Sequence, residues 1–109
     1  MTQNPPLEFA ERLAEAWRTG TLVDVSPSLV PSDLETAYRV QSALIERLIP
    51  RLGPIVGWKV GAPSPSAEPN AAPLLADLVQ PSPARFGGAR LKVRGLEAEL
   101  AFRFGRDLP

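Results

Sequence analysis

Two glutamates near the end of the chain have a spacing that suits metal chemistry. Glu97 and Glu99 are two residues apart in the 109-residue sequence. On a strand, this spacing puts both carboxylates on one face, about 6.5–7 Å apart at the backbone, so that the side chains can converge on one cation. Hard divalent cations such as Mg²⁺ and Mn²⁺ prefer oxygen ligands of this kind. The alternative is that both glutamates are solvated residues on a polar strand face.

Lys59 is a second candidate, because its neighbours on the same strand face are Gly57 and Gly61. Glycine inside a strand often marks a bulge or a close approach by a ligand. A lysine in such a space can bind a substrate carboxylate or, when desolvated, move protons. A lysine on an exposed edge strand, with glycines that shape the twist, explains the pattern equally well.

Two further polar residues stand in apolar surroundings. Gln41 falls in the apolar stripe of a predicted helix, and Asp77 lies within the run Leu-Leu-Ala-Asp-Leu-Val. A polar side chain on a buried face needs hydrogen-bond partners. Gln41 therefore either bonds to the backbone of a nearby loop or contacts a ligand. Asp77 either accepts hydrogen bonds from the backbone of a turn or a helix N-terminus, or takes part in catalysis.

Composition narrows the chemistry further, since the chain contains neither cysteine nor histidine. Disulfides, thiolate nucleophiles, the usual hydrolase triads and nearly all transition-metal sites are excluded for this sequence. Basic and acidic residues balance at 12 each, which gives no reason to expect a nucleic acid or a membrane as partner. A weaker alternative is anion binding by the basic residues of the last quarter: Arg85, Arg90, Lys92, Arg94, Arg103 and Arg106.

The elements that position these residues can be predicted from periodicity. Asn4 as N-cap before Pro5 predicts an amphipathic helix that ends at Gly20. Ser32 and Glu35 have the spacing of a capping box, which predicts a second helix that Pro50 and Gly53 end. No signal sequence or membrane-length apolar run is visible, so the sequence predicts a cytoplasmic protein.

After the second helix the pattern becomes strand-like. Alternation predicts a strand over 55–61, followed by a proline-rich loop over 62–73 that is long enough for a lid or binding segment. A short apolar element over 74–79 and two strands, 89–93 and 96–104, follow. In the last strand we expect Leu100, Phe102 and Phe104 to form a core face.

These elements predict an α+β fold. Two N-terminal amphipathic helices with short strands lead into the first strands of a truncated, mostly-β domain. The division places an N-terminal α/β region at 1–84 and the start of a β-rich, metal-binding catalytic domain at 85–109.

Three motifs in series resemble a known family. They are Ala37-Tyr38-Arg39-Val40-Gln41, Gly57-Trp58-Lys59-Val60-Gly61 followed by Ser64-Pro65, and Glu97-Ala98-Glu99-Leu100-Ala101-Phe102 before Gly105-Arg106-Asp107-Leu108-Pro109. Their order and spacing resemble the 2-oxopent-4-enoate hydratase group, with its decarboxylase relatives, in the fumarylacetoacetate hydrolase superfamily. The resemblance extends from about Phe9 to Pro109, and it implies a mostly-β domain that holds Mg²⁺ or Mn²⁺.

The resemblance also implies roles for individual residues. Glu97 and Glu99 match the family's first two metal-ligand carboxylates, and Lys59 matches its active-site lysine. Asp77 matches the second of two acidic positions, which makes it a further catalytic candidate. Gln41 and Ser64 fall in the matched motifs as substrate-binding candidates.

This sequence departs from the family pattern at two positions. Ala76 stands at the first acidic position, and Pro63 stands where a hydroxyl residue is common. The polarity of the pocket decides between water addition and decarboxylation, so both departures bear on which reaction takes place.

The implied reaction is the addition of water to a small 2-oxo-4-enoic acid in aromatic-compound catabolism, which gives a 4-hydroxy-2-oxo acid. The alternatives are a 2-oxo acid decarboxylase or C–C hydrolase of the same superfamily, or a non-catalytic interaction module. Family chains are more than twice as long, and a third carboxylate ligand lies downstream in them. We therefore expect an N-terminal fragment with an incomplete metal site and little activity of its own, with a homo-oligomer or a partner decarboxylase as its protein partner.

Overall fold

The computed structural model describes residues 4–88 and 91–109. Its elements, in chain order, are helix α1 (Pro5–Thr19), a 3-10 turn (Pro27–Leu29), helix α2 (Leu34–Leu52), strands β1 (Ile55–Gly61) and β2 (Asn70–Leu75), and a second 3-10 turn (Ala76–Leu78). The two strands form an antiparallel sheet. Two helices followed by this small sheet confirm the predicted α+β class.

Helix α1 has the predicted bounds. Proline occupies its first turn, where a missing N–H is tolerated, and Gly20 ends it with a positive φ of 68° that favours glycine. Asn4 is the N-cap residue, but its side chain makes no capping hydrogen bond.

Helix α2 begins one residue later than the predicted capping box. The cap is Asp33, whose Oδ1 accepts the backbone N–H of Thr36 at 2.7 Å, so the assignment of Ser32 and Glu35 as a capping box is wrong. A carboxylate is the stronger acceptor for the free N–H groups at a helix start. Pro50 lies inside the last turn, and the helix ends at Gly53 with φ 82°.

Helices α1 and α2 pack against each other. An ion pair between Glu11 and Arg47 (3.2 Å) and a hydrogen bond from Arg51 to the Trp17 carbonyl (3.1 Å) join them. Within the described residues, neither helix is both long and apolar enough to cross a membrane.

The hairpin of β1 and β2 corrects the predicted proline-rich loop. Because β2 begins at Asn70, the loop prediction is wrong for the stretch 70–73. Pro73 pairs with Trp58 in the sheet. Residues two apart in a strand direct their backbone groups to the same side, and Ala71 directs its N–H toward α2, away from β1. The N–H that Pro73 lacks would therefore lie on the free edge of the sheet, where a proline is tolerated.

The core lies where α2 meets the end of β2. Leu48, Leu52 and Leu75 are buried together, and the partly buried side chains of Leu44, Ile45 and Leu78 pack around them. Of the predicted apolar element 74–79, residues 74 and 75 end β2 and residues 76–78 form a 3-10 turn. Three more buried apolar residues belong to α1, the first 3-10 turn and α2: Ala10, Leu29 and Val40.

The final segment differs from the prediction. Residues 91–109 contain no helix or strand, so the predicted strand at 96–104 is wrong, and of the strand at 89–93 residues 89 and 90 lie outside the described residues. The expected core face is solvent-exposed, since Leu100 is 95% and Phe102 89% accessible. A strand needs a hydrogen-bonded neighbour, and the segment pairs with none among the described residues. The radius of gyration of 15.8 Å exceeds the roughly 13 Å of a compact domain of this size.

Candidate functional site

The candidate site is centred on the ammonium group of Lys59. Its Nζ donates to Oε2 of Glu97 at 2.5 Å and also to Oε1 of Glu99. These contacts join β1 to a segment 38 and 40 residues farther along the chain. The structure therefore brings together three of the four residues that the sequence put forward for metal and catalytic roles, the fourth being Asp77.

The position of Lys59 in β1 explains how its side chain reaches this point. Lys59 lies in the middle of β1, where it pairs with Ala72. A Cβ at Gly61 would have no atom within 4 Å, so the expected free space exists on that side, whereas at Gly57 the side chain of Leu74 would lie 3.6 Å away. The lysine side chain keeps 45% of its accessible surface, so it is half-exposed rather than desolvated.

These contacts shift the pKa values of Lys59 and Glu97. The hydrogen bonds that Lys59 donates to Glu97 and Glu99 raise the pKa of Lys59 well above its usual range. The hydrogen bond from Lys59 lowers the pKa of Glu97. Lys59 is therefore a cation and Glu97 an anion at neutral pH, which does not match the predicted low-pKa lysine that moves protons.

A cavity of about 500 Å³ opens beside Lys59, between α2 and the hairpin. This volume falls in the usual range for small-molecule sites. The lining is mostly apolar, with a few polar side chains from three different elements. Its residues are Leu34, Ala37, Tyr38, Gln41, Lys59, Gly61, Ala62, Pro63, Asn70, Ala71 and Ala72.

Two side chains of α2 hold the far wall of this cavity. The Tyr38 hydroxyl accepts the N–H of Ala71 at 3.0 Å, and Gln41 Nε2 donates to the Ala71 carbonyl at 3.2 Å. Of the two interpretations of Gln41, the bond to a nearby backbone is the one seen here. Gln41 nevertheless lines the cavity, so a ligand contact through this residue stays a prediction.

Ser64 and Asp77 lie apart from this centre. Ser64 is exposed in the loop after β1, with its Oγ 3.4 Å from that of Ser66. Asp77 is an exposed residue of the second 3-10 turn. Neither of them lines the cavity beside Lys59.

Tyr38 and Asn70 were not among the predicted site residues, although both line the cavity. A signal for Tyr38 was available, because it lies three residues before Gln41 and so shares its helix face. Asn70 had none, since the sequence around it was interpreted as a loop.

Comparisons with protein-family models, with curated proteins and with solved structures found no match. The family resemblance of the three motifs therefore stays a prediction. What bears on function is the arrangement of Lys59, the two glutamates and the cavity.

The residues present suit a divalent cation of the hard class. One oxygen from each of Glu97 and Glu99 converges on a single positively charged atom, Lys59 Nζ. No group of three or more acidic, histidine or cysteine side chains occurs in the part of the chain that the structure describes. Two carboxylates fit Mg²⁺ or Mn²⁺, because these ions usually keep several positions for water and substrate oxygens.

Proposed function

We propose that this chain takes part in the divalent-metal-dependent addition of water to a 2-oxo-4-enoic acid. The observation that carries the proposal is the convergence of Glu97 and Glu99 on one cationic position beside a mostly apolar cavity. The balance of charge and the absence of histidine and cysteine agree with oxygen-ligand chemistry.

In this proposal each side chain has a separate task. Glu97 and Glu99 hold Mg²⁺ or Mn²⁺, which when bound supplies positive charge that polarises the 2-oxo group. Lys59 contributes a permanent positive charge for the acid's carboxylate. The apolar side chains of Leu34, Ala37 and Pro63 line space for the unsaturated carbon chain of the acid.

Tyr38 and Gln41 shape the cavity rather than react. Their hydrogen bonds to Ala71 fix β2, and β2 in turn pairs with the strand that bears Lys59. Rigid support of this kind keeps a binding group near its productive position.

The first experiment measures Mn²⁺ binding to the 109-residue chain by the loss of the free-ion electron paramagnetic resonance signal. We expect binding that weakens in Glu97→Gln and in Glu99→Gln. Glu68→Gln is the matched control, because Glu68 is an exposed glutamate of the loop after β1. Equal Mn²⁺ binding by all four proteins would count against the proposed metal site.

The second experiment tests the substrate class with a saturated probe, 2-oxopentanoate, which has the same carboxylate and oxo groups. We expect its binding, followed by saturation-transfer NMR, to require Mg²⁺ and Glu97. Metal-independent binding would contradict the proposed arrangement. Product analysis with 2-hydroxypenta-2,4-dienoate then separates hydration from decarboxylation, because only the latter releases CO₂.

A second candidate function is a non-catalytic interaction module. It is favoured by the exposure of the apolar side chains Leu96, Leu100 and Phe102, of which Leu96 is 99% accessible. All three lie in the segment 96–102, and contiguous exposed apolar patches often mark protein contacts. Sedimentation of the chain beside a Leu100→Asp variant tests it: self-association that the variant abolishes, without Mn²⁺ binding, favours this module over the enzyme.

A further inference from the structure

Lys59 occupies the position at which the proposed site places a metal ion. Its Nζ is the common partner of Glu97 Oε2, at 2.5 Å, and of Glu99 Oε1. The ammonium group is thus a built-in cation that holds the two carboxylate oxygens together. Any second cation that binds the same two oxygens must therefore compete with this ammonium group.

The two cations cannot occupy this position together. Mg²⁺ binds carboxylate oxygens at about 2.0–2.1 Å. A metal ion at that distance from the same two oxygens would lie next to the ammonium group of Lys59, with like charges in close contact. A divalent ion can therefore bind these oxygens only if the ammonium group moves away from them. The ammonium group can do so and still stay near the site, because its side chain is attached to β1.

The structure offers the released side chain a place to go. Lys59 lines the 500 Å³ cavity that Tyr38, Gln41 and Asn70 also line. The lysine stem is flexible, and its half-exposed side chain has free space on the side of Gly61. A rotation about the stem can therefore move the ammonium group from the glutamates toward the cavity.

We propose that Lys59 is an exchangeable cation: it pairs with Glu97 and Glu99 until a divalent ion takes these carboxylates, and is then released to bind the carboxylate of an acid in the cavity. This inference rests on the proposed function and adds an order of events, in which the metal ion binds before the acid. The ion pair keeps the two carboxylates gathered in the absence of metal.

The test compares Mn²⁺ affinity among variants of Lys59. Lys59→Gln removes the competing charge, and we expect it to bind Mn²⁺ roughly threefold to tenfold more tightly than the unmodified chain, since each exposed ion pair is weak. Lys59→Arg keeps the charge and should bind like the unmodified chain. Lys92→Gln is the matched control, because it makes the same change of charge at the other lysine.

Release of the side chain has a readout of its own. Lys59 and Lys92 are the two lysines of the sequence, so mass spectrometry after brief acetylation can follow each separately. We expect Mg²⁺ to increase the acetylation of Lys59 severalfold and to leave Lys92 unchanged. In Glu97→Gln the effect of Mg²⁺ on Lys59 should be reduced.

The outcomes separate the two proposals. If Mn²⁺ binding depends on the glutamates but is the same in Lys59→Gln, the exchange is wrong and the metal site stands. If Lys59→Gln binds Mn²⁺ and the unmodified chain does not, the competition is supported in its strongest form. If neither protein binds Mn²⁺, or binding is indifferent to Glu97 and Glu99, the metal site fails and the exchange with it.

Discussion

The hydroxyl of Tyr38 on α2 accepts a hydrogen bond from the backbone N–H of Ala71 on β2 at 3.0 Å. Gln41, one turn farther along the helix, donates to the carbonyl of the same alanine at 3.2 Å. Both polar groups that Ala71 presents at the free edge of the sheet are therefore satisfied by α2. Through the pairing of β2 with β1, this contact also holds the strand that bears Lys59.

Tyr38→Phe should lower the free energy of unfolding by about 1 kcal/mol, because it removes the acceptor and leaves a part-buried N–H without its partner. Urea unfolding measures the change. Ser42→Ala, at an exposed position of the same helix, is the control and should be nearly neutral. An unchanged midpoint for Tyr38→Phe would show that the hydrogen bond adds nothing.

Leu75→Ala should destabilise the fold by about 2–4 kcal/mol, because it empties space in the core. Leu75 is 1% accessible and packs with Leu48 and Leu52 of α2. Thermal unfolding followed by circular dichroism measures the loss. Leu74→Ala, the same change at the neighbouring and more exposed position, should cost clearly less, and equal losses would contradict the core described above.

Asp33→Ala should lower the melting temperature more than Ser32→Ala, because Asp33 and not Ser32 caps α2. The hydrogen bond from the backbone of Thr36 lowers the pKa of Asp33. The cap's contribution is therefore complete above the unfolded pKa of about 3.9 and is lost as the pH falls through the lower folded value. The difference between the two variants should shrink in acid, and a larger loss in Ser32→Ala would restore the predicted capping box.

The contact of Lys59 with Glu97 should persist from mildly acid to mildly alkaline pH. The pKa of Glu97 is lowered in the folded chain. The contribution of Glu97 to stability is therefore complete above its unfolded pKa of about 4.3 and is lost as the pH falls through the folded pKa. The pKa of Lys59 is raised in the folded chain. The contribution of Lys59 to stability is therefore complete below its unfolded pKa of about 10.4 and is lost as the pH rises through the folded pKa.

Side-chain NMR of the Lys59 ε-methylene group checks this window. Its contacts with the glutamate γ-methylenes should be constant near neutral pH, and should weaken in acid and at high salt, which screens exposed ion pairs. A variant with both Glu97→Gln and Glu99→Gln gives the reference state without the ion pairs. Contacts that are equally strong in that variant would assign them to packing rather than to charge.

The sequence by itself determined the elements whose signals are local. Proline in the first turn and Gly20 at the end predicted α1, and alternation predicted β1 with the bounds that the structure shows. The absence of histidine and cysteine left carboxylates, lysine, arginine and hydroxyl groups to carry any chemistry. Such signals are readable because helix periodicity, end residues and strand alternation depend on near neighbours in the chain.

Only the tertiary structure decided which distant residues meet. The strand character of 70–73 became visible once α2 supplied hydrogen-bond partners for Ala71. Conversely, the alternation of 96–104 predicted a strand that lacks a neighbour among the described residues. The meeting of Lys59 with Glu97, 38 residues away, likewise depends on chain closure and on attraction between opposite charges. Pairing across such separations is a property of the folded chain, and no local pattern encodes it.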